Sequence, residues 1–501
     1  MSDGRCGRAT RSWRVPDKFG FRSALAFALL FPGGVWAHTL VTPYTLPIPF
    51  RMYLYACVAT LALTFVVLIG TARPAAPLSS HSRERSLAVA PERLVPSILL
   101  IAMRIGSVGC FLLTVIAGLI GTPSPNANIG WVLFWYLFLL LFVYLTAVIG
   151  NFYQLISPWR AAVEWTAANN QFWSGRISYP KWLAYWPALG FYIALVWIEL
   201  LIPPRPSTLS WVLLGYGVLT FAGAWLFGSA AWIRHCEVFD VLFRVVGTLA
   251  PLRYARKDRA NAWTIRFRTP LSGGSTCWPD SISLVVFVLF MLSSTAYDGV
   301  HGTTFWAQLY WENLMKLLQP VWGSDMARAQ AILGPWYPVY DRLALLLSPV
   351  AYLGIYVGAI ALAKRAADAD LPVRSLAMRF IPAVVPIALA YSVAHYFSAL
   401  TTTSSVVPFL ISDPFGFGWD IFGTAHGSAE GQPIDMREVW HFAVLVILVG
   451  HVASVYMVHK IGLTVFHAQR RHWLGELPLL VLTVAYTLFG LFVLALPLAL
   501  H

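Results

Sequence analysis

The sequence predicts an all-α fold: a polytopic transmembrane helix bundle of about ten spans, with an N-terminal signal segment and two cytoplasmic interfacial helices. Three observations predict it. The 501-residue chain is 58% apolar and only 11% charged, too few charges to cover a water-facing surface, because soluble domains carry roughly a quarter. Its apolar residues gather in runs long enough to cross about 30 Å of hydrocarbon, which takes roughly 20 residues. The loops between those runs alternate between basic and nearly uncharged, as the positive-inside rule requires of a multi-pass protein.

Taken in order, a basic stretch (Arg5, Arg8, Arg11, Arg14, Lys18, Arg22) precedes SALAFALLFPGGVWA, Ser23 to Ala37. This run is short for a span and ends in a small-x-small cleavage signature. Residues 1–37 therefore read as a signal peptide or, uncleaved, as an anchor helix, and residues 38–501 as one transmembrane domain. Apolar runs follow at Phe50 to Thr71, Val95 to Gly121, Ile129 to Gly150, Trp182 to Ile202 and Leu209 to Ile233. Five more lie at Ile282 to Tyr297, Tyr340 to Ala363, Phe380 to Thr401, Val439 to Val458 and Leu477 to Leu500.

The basic loops, of which Arg253 to Arg268 is the densest, would be cytoplasmic, placing the chain in a bacterial inner membrane with both mature termini periplasmic. Two basic loops contain apolar stretches too short to span, Asn151 to Trp165 and Cys236 to Leu252, which read as amphipathic interfacial helices. The net charge of +13 is dispersed among these loops, so topology explains it better than a nucleic-acid patch does. The five cysteines form no CxxC pair, and each reads as a small buried or loop residue. No HExxH, GxSxG or P-loop pattern occurs, which removes the well-marked hydrolase and ATPase chemistries.

Polar residues inside spans carry the functional signal, because an ionisable group at the bilayer centre costs on the order of 3 kcal/mol and usually faces a cavity or a partner. In IPAVVPIALAYSVAHYFSAL, residues Tyr391, Ser392, His395 and Ser398 recur three or four apart and share a helix face. The next span carries His441 at its mouth, His451 near its middle and His459 near its far end, with Gly450 permitting close helix approach. In MLSSTAYDGVHG, Ser294, Asp298 and His301 line up at a boundary, and the loop LISDPFGFGWDIFGTAHGSAEG adds Asp413, Asp420 and His426. With His38, which cleavage would expose as a copper-chelating terminus, these residues map mainly to one side of the membrane. Imidazoles and carboxylates of this kind suit zinc, copper or iron. His395 and His451 read equally well as interhelical hydrogen-bond donors, and Arg104 and Glu199 as structural partners.

Several segments also carry a family resemblance. AHTLVTPYTLPIPFRMYLYACVATLALTFVVL with His38, SPWRA in the first cytoplasmic helix, YDG at Tyr297 to Gly299, IALAYSVAHYFSAL, SDPFGFGWDIFGTA and GHVASVYMVH occur in that order. The chain thereby resembles, over nearly its whole length, the bacterial integral membrane proteins named fenitrothion hydrolase. The resemblance implies hydrolysis of an organophosphorus triester with release of a nitrophenol at the membrane. It supplies no catalytic residues.

Chemistry then suggests a divalent metal, zinc or copper, that activates water. His395, His451, His441 and His38 are the candidate ligands, and Asp298, Asp413 and Asp420 the candidate catalytic or orienting carboxylates. The expected partners are the lipid bilayer, a hydrophobic small-molecule substrate and a partner protein subunit, with no nucleic acid. The alternative expectations are a transporter of copper-type metal or of a small molecule, with the histidines as its path, and an accessory subunit for a separate hydrolase. No internal repeat of the kind many transporters show is evident.

Overall fold

The structure, a computed structural model, describes residues 49–71, 93–166, 172–257, 262–273, 280–322, 326–425, 435–466 and 472–496. The signal segment and His38 lie outside these residues. In chain order the first half comprises α1 (Phe50–Thr71), β1 (Arg93–Leu94), α2 (Ser97–Ile120), α3 (Ile129–Ile149), α4 (Tyr153–Ile156), α5 (Pro158–Thr166), α6 (Trp186–Leu201), α7 (Pro206–Phe227), α8 (Ser229–His235) and α9 (Val238–Val246). The second half comprises β2 (Leu252–Lys257), β3 (Ala262–Phe267), α10 (Ile282–His301), α11 (Thr304–Trp322), α12 (Met326–Leu333), α13 (Tyr337–Ala366), α14 (Val373–Phe380), α15 (Val385–Ser412), α16 (Met436–Val465) and α17 (His472–Leu494).

Among the described residues nine helices are long and apolar enough to cross a membrane. The chain is a multi-pass membrane protein. Among the described residues each apolar run read from the sequence falls on helix, although Gly228 splits the run from Leu209 into α7 and α8; α6 has only 16 residues, about 24 Å of rise.

The bundle has a centre and a rim. The most apolar stretch of α10 is 78% buried and that of the helical segment containing α15 is 72%, against 17% for α1 and for α2. Outer helices point Leu63, Val66, Ile98 and Ile105 outward, an apolar exterior of the kind a bilayer solvates. Helix α10 and the first turns of α15, as far as Ala394, have almost no outward face, so polar side chains there meet protein. Because lipid is as apolar as leucine, the helices are held by close packing rather than by water exclusion. The extensive pairing of α15 with α16 depends on Gly450: a Cβ there would overlap that of Ala390 and lie 2.7 Å from the Pro386 carbonyl oxygen.

Two features at the end of the bundle where α10 begins depart from the expectation. The basic loop Arg253 to Arg268 is largely an antiparallel hairpin, with β2 paired to β3 from Leu252 opposite Phe267 to Lys257 opposite Ala262, and β1 added through Arg93 opposite Ile265. The charges obscured Tyr254, Trp263, Thr264, Ile265 and Phe267, residue types that favour strands.

The Cys236 to Leu252 segment forms α9, but protein encloses it. Phe134, Phe138 and Phe142 of α3, spaced by four, pack around Phe239 and Phe243, with ring centroids 5.0 Å apart for Phe138 and Phe239 and 5.1 Å for Phe142 and Phe243. The apolar side of this amphipathic stretch finds aromatic partners in its own chain. The other expected interfacial segment forms α4 and α5; Ser157 and Pro158 start α5, as helix starts favour.

Glu237 caps α9. Its Oε1 accepts from the Tyr216 hydroxyl at 2.8 Å and the Phe239 N–H at 3.1 Å, and its Oε2 from the Asp240 N–H at 2.7 Å. Burial, reinforced by the Asp240 charge, outweighs these three donors and pushes its pKa up to about 8. The folded-state value exceeds the unfolded one, about 4.3. The stabilisation is therefore complete below the unfolded value and is lost as pH rises through the folded one. The thermal midpoint of detergent-solubilised protein is expected to fall from about pH 5 to about pH 8, with a flatter slope in Glu237→Gln. Equal slopes in the two proteins would show that Glu237 does not titrate there.

Candidate functional site

The last turns of α10, at the end opposite the sheet, bring the YDG residues into the bundle. Asp298 Oδ2 accepts the His395 Nε2–H at 2.9 Å and the Tyr396 hydroxyl at 2.6 Å. His395 and Tyr396 are adjacent on α15, and their rings lie edge to face at 4.7 Å. With Nε2–H committed to Asp298, the lone pair of His395 lies on Nδ1. Gly299 permits the approach of α10: a Cβ there would lie 2.7 Å from Val493 Cγ1 and 3.6 Å from His395 Nδ1. Room beside the imidazole is thus built into the motif. His395 keeps 23% of its side chain accessible and Asp298 only 14%.

A second carboxylate joins the cluster. The His301 Nδ1–H donates to the Asp298 carbonyl at 3.0 Å, and Nδ1 lies 3.7 Å from Asp298 Oδ1. Tyr297 stacks on His301 with centroids 5.0 Å apart and donates its hydroxyl to the Asp341 carbonyl at 3.1 Å. Asp341 of α13 accepts the Trp306 indole N–H at 2.6 Å. Glu199 of α6 lies within electrostatic range of Asp298. Tyr144 of α3 donates to the Ser392 carbonyl at 3.1 Å and lies 3.2 Å from its Oγ, tying α3 to α15 one turn from His395.

The structure thus joins Asp298 to His395 and separates the other candidates. His441 stands exposed at the start of α16, its Nδ1–H bonded to the Arg437 carbonyl at 2.8 Å and its Nε2 3.3 Å from the Tyr53 hydroxyl. His451 is buried in mid-helix, with its Nδ1–H on the Ile447 carbonyl at 2.7 Å and its Nε2 without a hydrogen bond. Among the described residues no three His, Cys, Asp or Glu side chains are grouped to hold a metal ion, so the expected ligand set of His395, His441 and His451 is not assembled. His38 and His426 lie outside the described residues.

Asp413 and Asp420, expected as catalytic or orienting groups, shape their own loop. Asp413 accepts the Phe417 N–H at 2.9 Å and the Gly418 N–H at 2.7 Å; Asp420 Oδ1 accepts the Ser412 hydroxyl and the Ala425 N–H, each at 2.9 Å. A DPFG turn needs such acceptors because its backbone N–H groups have no helix to bond to.

The expected single face of α15 serves three neighbours: Tyr391 packs on Gly490 of α17, Ser392 meets α3 and His395 meets α10. Sequence reasoning missed Tyr396, Asp341 and Trp306. The adjacent His-Tyr pair was the available signal for Tyr396; side chains one apart diverge by about 100°, so only a carboxylate inserted between them unites them.

Comparison with protein-family models, with curated proteins and with solved structures finds no match for this chain.

Proposed function

We propose that this chain is a membrane-embedded hydrolase of hydrophobic, uncharged phosphorus triesters of the fenitrothion type. The observation that carries the reading is the hydrogen bond of His395 to Asp298 inside the bundle; the sequence resemblance supplies the substrate class. Asp298, steadied by Tyr396, orients the imidazole so that Nδ1 takes a proton from water. The oxygen of that water attacks phosphorus, the phosphorus–aryloxide bond breaks, and the nitrophenolate leaves with the bonding electron pair. Asp298 then offsets the imidazolium charge, and proton loss from His395 completes the cycle. A neutral triester partitions into lipid tails and reaches the cluster laterally.

In place of general-base catalysis, a divalent ion, zinc or copper, would find one ligand here, the Nδ1 of His395 oriented by Asp298 through Nε2–H, and would lower the pKa of a bound water. The distribution of basic loops supports a bacterial inner membrane with the Asp298 end of α10 facing outward.

A second reading, proton- or cation-coupled transport, is favoured by the buried groups on α16 at other depths: His451, and His459, whose Nδ1 lies 2.9 Å from Glu476 Oε2. Purified protein in liposomes separates the two. The hydrolase reading expects saturable nitrophenol release that falls at least about 100-fold in His395→Gln. Zinc, copper or proton uptake without release would favour transport, and release unaffected in His395→Gln would remove the dyad.

A further inference from the structure

At the other end of the bundle lies a cavity of about 740 Å³. Its roof comes from β2, α5, α8 and α9, and its floor from the first turns of α10 and the turn leading into α15. Leu284, fourteen residues before Asp298 on α10, lines this floor, which separates the two sites by roughly 21 Å along the helix.

The charge in the cavity does not balance. Among the described residues six arginines line it, Arg160, Arg234, Arg244, Arg253, Arg256 and Arg268, against three acids, Glu164, Asp240 and Asp280. Two of the acids are each shared by two guanidinium groups. Asp240 lies 3.4 Å from Arg160 and 3.3 Å from Arg244; Glu164 lies 3.0 Å from Arg256 and 2.8 Å from Arg104, a buried arginine behind the wall. Among the described residues Arg234 and Arg253 have no acidic partner, and the buried Nε of Arg160 makes no hydrogen bond. The floor below is apolar: Leu284, Val288, Ile381 and Val385.

Positive charges gathered in a concave wall repel one another, and an anion relieves that repulsion. Guanidinium groups match the oxygens of a phosphate in paired hydrogen bonds and shed water more readily than ammonium groups do. A small inorganic anion would leave most of the volume and the apolar floor unused. We infer that this cavity binds a phosphate ester carrying an apolar group, its phosphate on the Arg234 and Arg253 side and its apolar part on Leu284, Val288, Ile381 and Val385. Two sources share this chemistry, an anionic phospholipid from the surrounding leaflet and a soluble aryl phosphate.

The experiment uses the full-length protein in phosphatidylcholine vesicles in three arms: no addition, phosphatidic acid in the vesicles, and phenyl phosphate in solution. The thermal midpoint of the protein is followed as each ligand is titrated. A saturable rise with phosphatidic acid assigns the lipid source, and one with phenyl phosphate the soluble source; either supports the site. Arg234→Gln and Arg253→Gln, both at exposed positions, are each expected to raise the half-saturating concentration roughly fivefold, the effect of about 1 kcal/mol per basic residue near a membrane surface. Arg374→Gln, an exposed arginine of α14 outside the cavity, makes the same charge change and is expected to leave the titration unmoved. A midpoint that stays constant in all three arms overturns the site. So does a rise that the Arg234 and Arg253 variants retain in full, or that Arg374→Gln weakens equally, since attraction to the surface at large would then account for it.

Discussion

Replacing Asp298 with asparagine is expected to lower triester hydrolysis by about three to four orders of magnitude while the bundle stays folded. The size follows from proton position. Both donors, the His395 Nε2–H and the Tyr396 hydroxyl, converge on one oxygen, Oδ2. An amide has one acceptor oxygen and one NH₂ in place of two equivalent oxygens. If its NH₂ turns toward His395, the imidazole presents a lone pair at Nε2 and carries its proton on Nδ1, the wrong atom for accepting one from water. In either orientation the negative charge that offsets an imidazolium is gone. Stability changes far less, because hydrogen bonds between membrane helices contribute only about 0.6 kcal/mol on average.

Asp298 acts through His395, so the rate alone does not test the assignment. The ¹⁵N shifts of His395 are expected to report the changed tautomer in Asp298→Asn. Tyr396→Phe, which leaves the dyad in place, is expected to retain most of the activity. A fully active Asp298→Asn protein at normal membrane levels would end the dyad mechanism.

The largest effect on folding is expected at the seam between α15 and α16. Gly450→Val places three carbons where the Pro386 carbonyl and Ala390 already lie. Backbone is the obstacle, so no side-chain rotamer relieves the overlap and the helices must separate along their length. Overpacking of this kind costs about 1–3 kcal/mol, sometimes more, and here it also removes close contacts that substitute for a hydrophobic driving force. The thermal midpoint of the purified protein should fall by several degrees. Gly358→Ala on α13 is the control. No atom lies within 4 Å of a Cβ at that position, and alanine favours helix over glycine by about 1 kcal/mol, so that variant should equal or exceed the parent in stability. Equal midpoints for Gly450→Val and the parent would show that α15 and α16 are not in backbone contact.

Particular residues show how far pattern reading reached. The Gly450 seam was legible because a glycine beside a polar residue in one span, following another span with small residues, has few other uses in a membrane. Asp298 and His395 were legible individually, because each carries a polar group where lipid makes it expensive. Their pairing was not, since 97 residues separate them and nothing local sets the rotation of α10 against α15. The same lack of rotational information placed His441 and His451 in one ligand set with His395. Asp413 and Asp420 were ambiguous for another reason: an aspartate in a glycine-rich loop has the same composition whether it binds a ligand or closes a turn, and only the tertiary structure shows that these two accept the N–H groups of Phe417, Gly418 and Ala425.

By itself the sequence determined that this chain is a multi-pass helical membrane protein, where its spans lie, and which polar residues its helices carry at a price. Those properties follow from composition and from runs of about 20 residues, because the bilayer is a solvent that acts on each segment separately. The tertiary structure alone decided that α10 and α15 occupy the centre, that Asp298 meets His395 and Tyr396, that α9 is enclosed by protein, and that six arginines surround one cavity. Each of these is a relation between segments far apart in the chain. Such relations depend on helix rotation and on shape-fitting of side chains, to which a hydrocarbon solvent is indifferent.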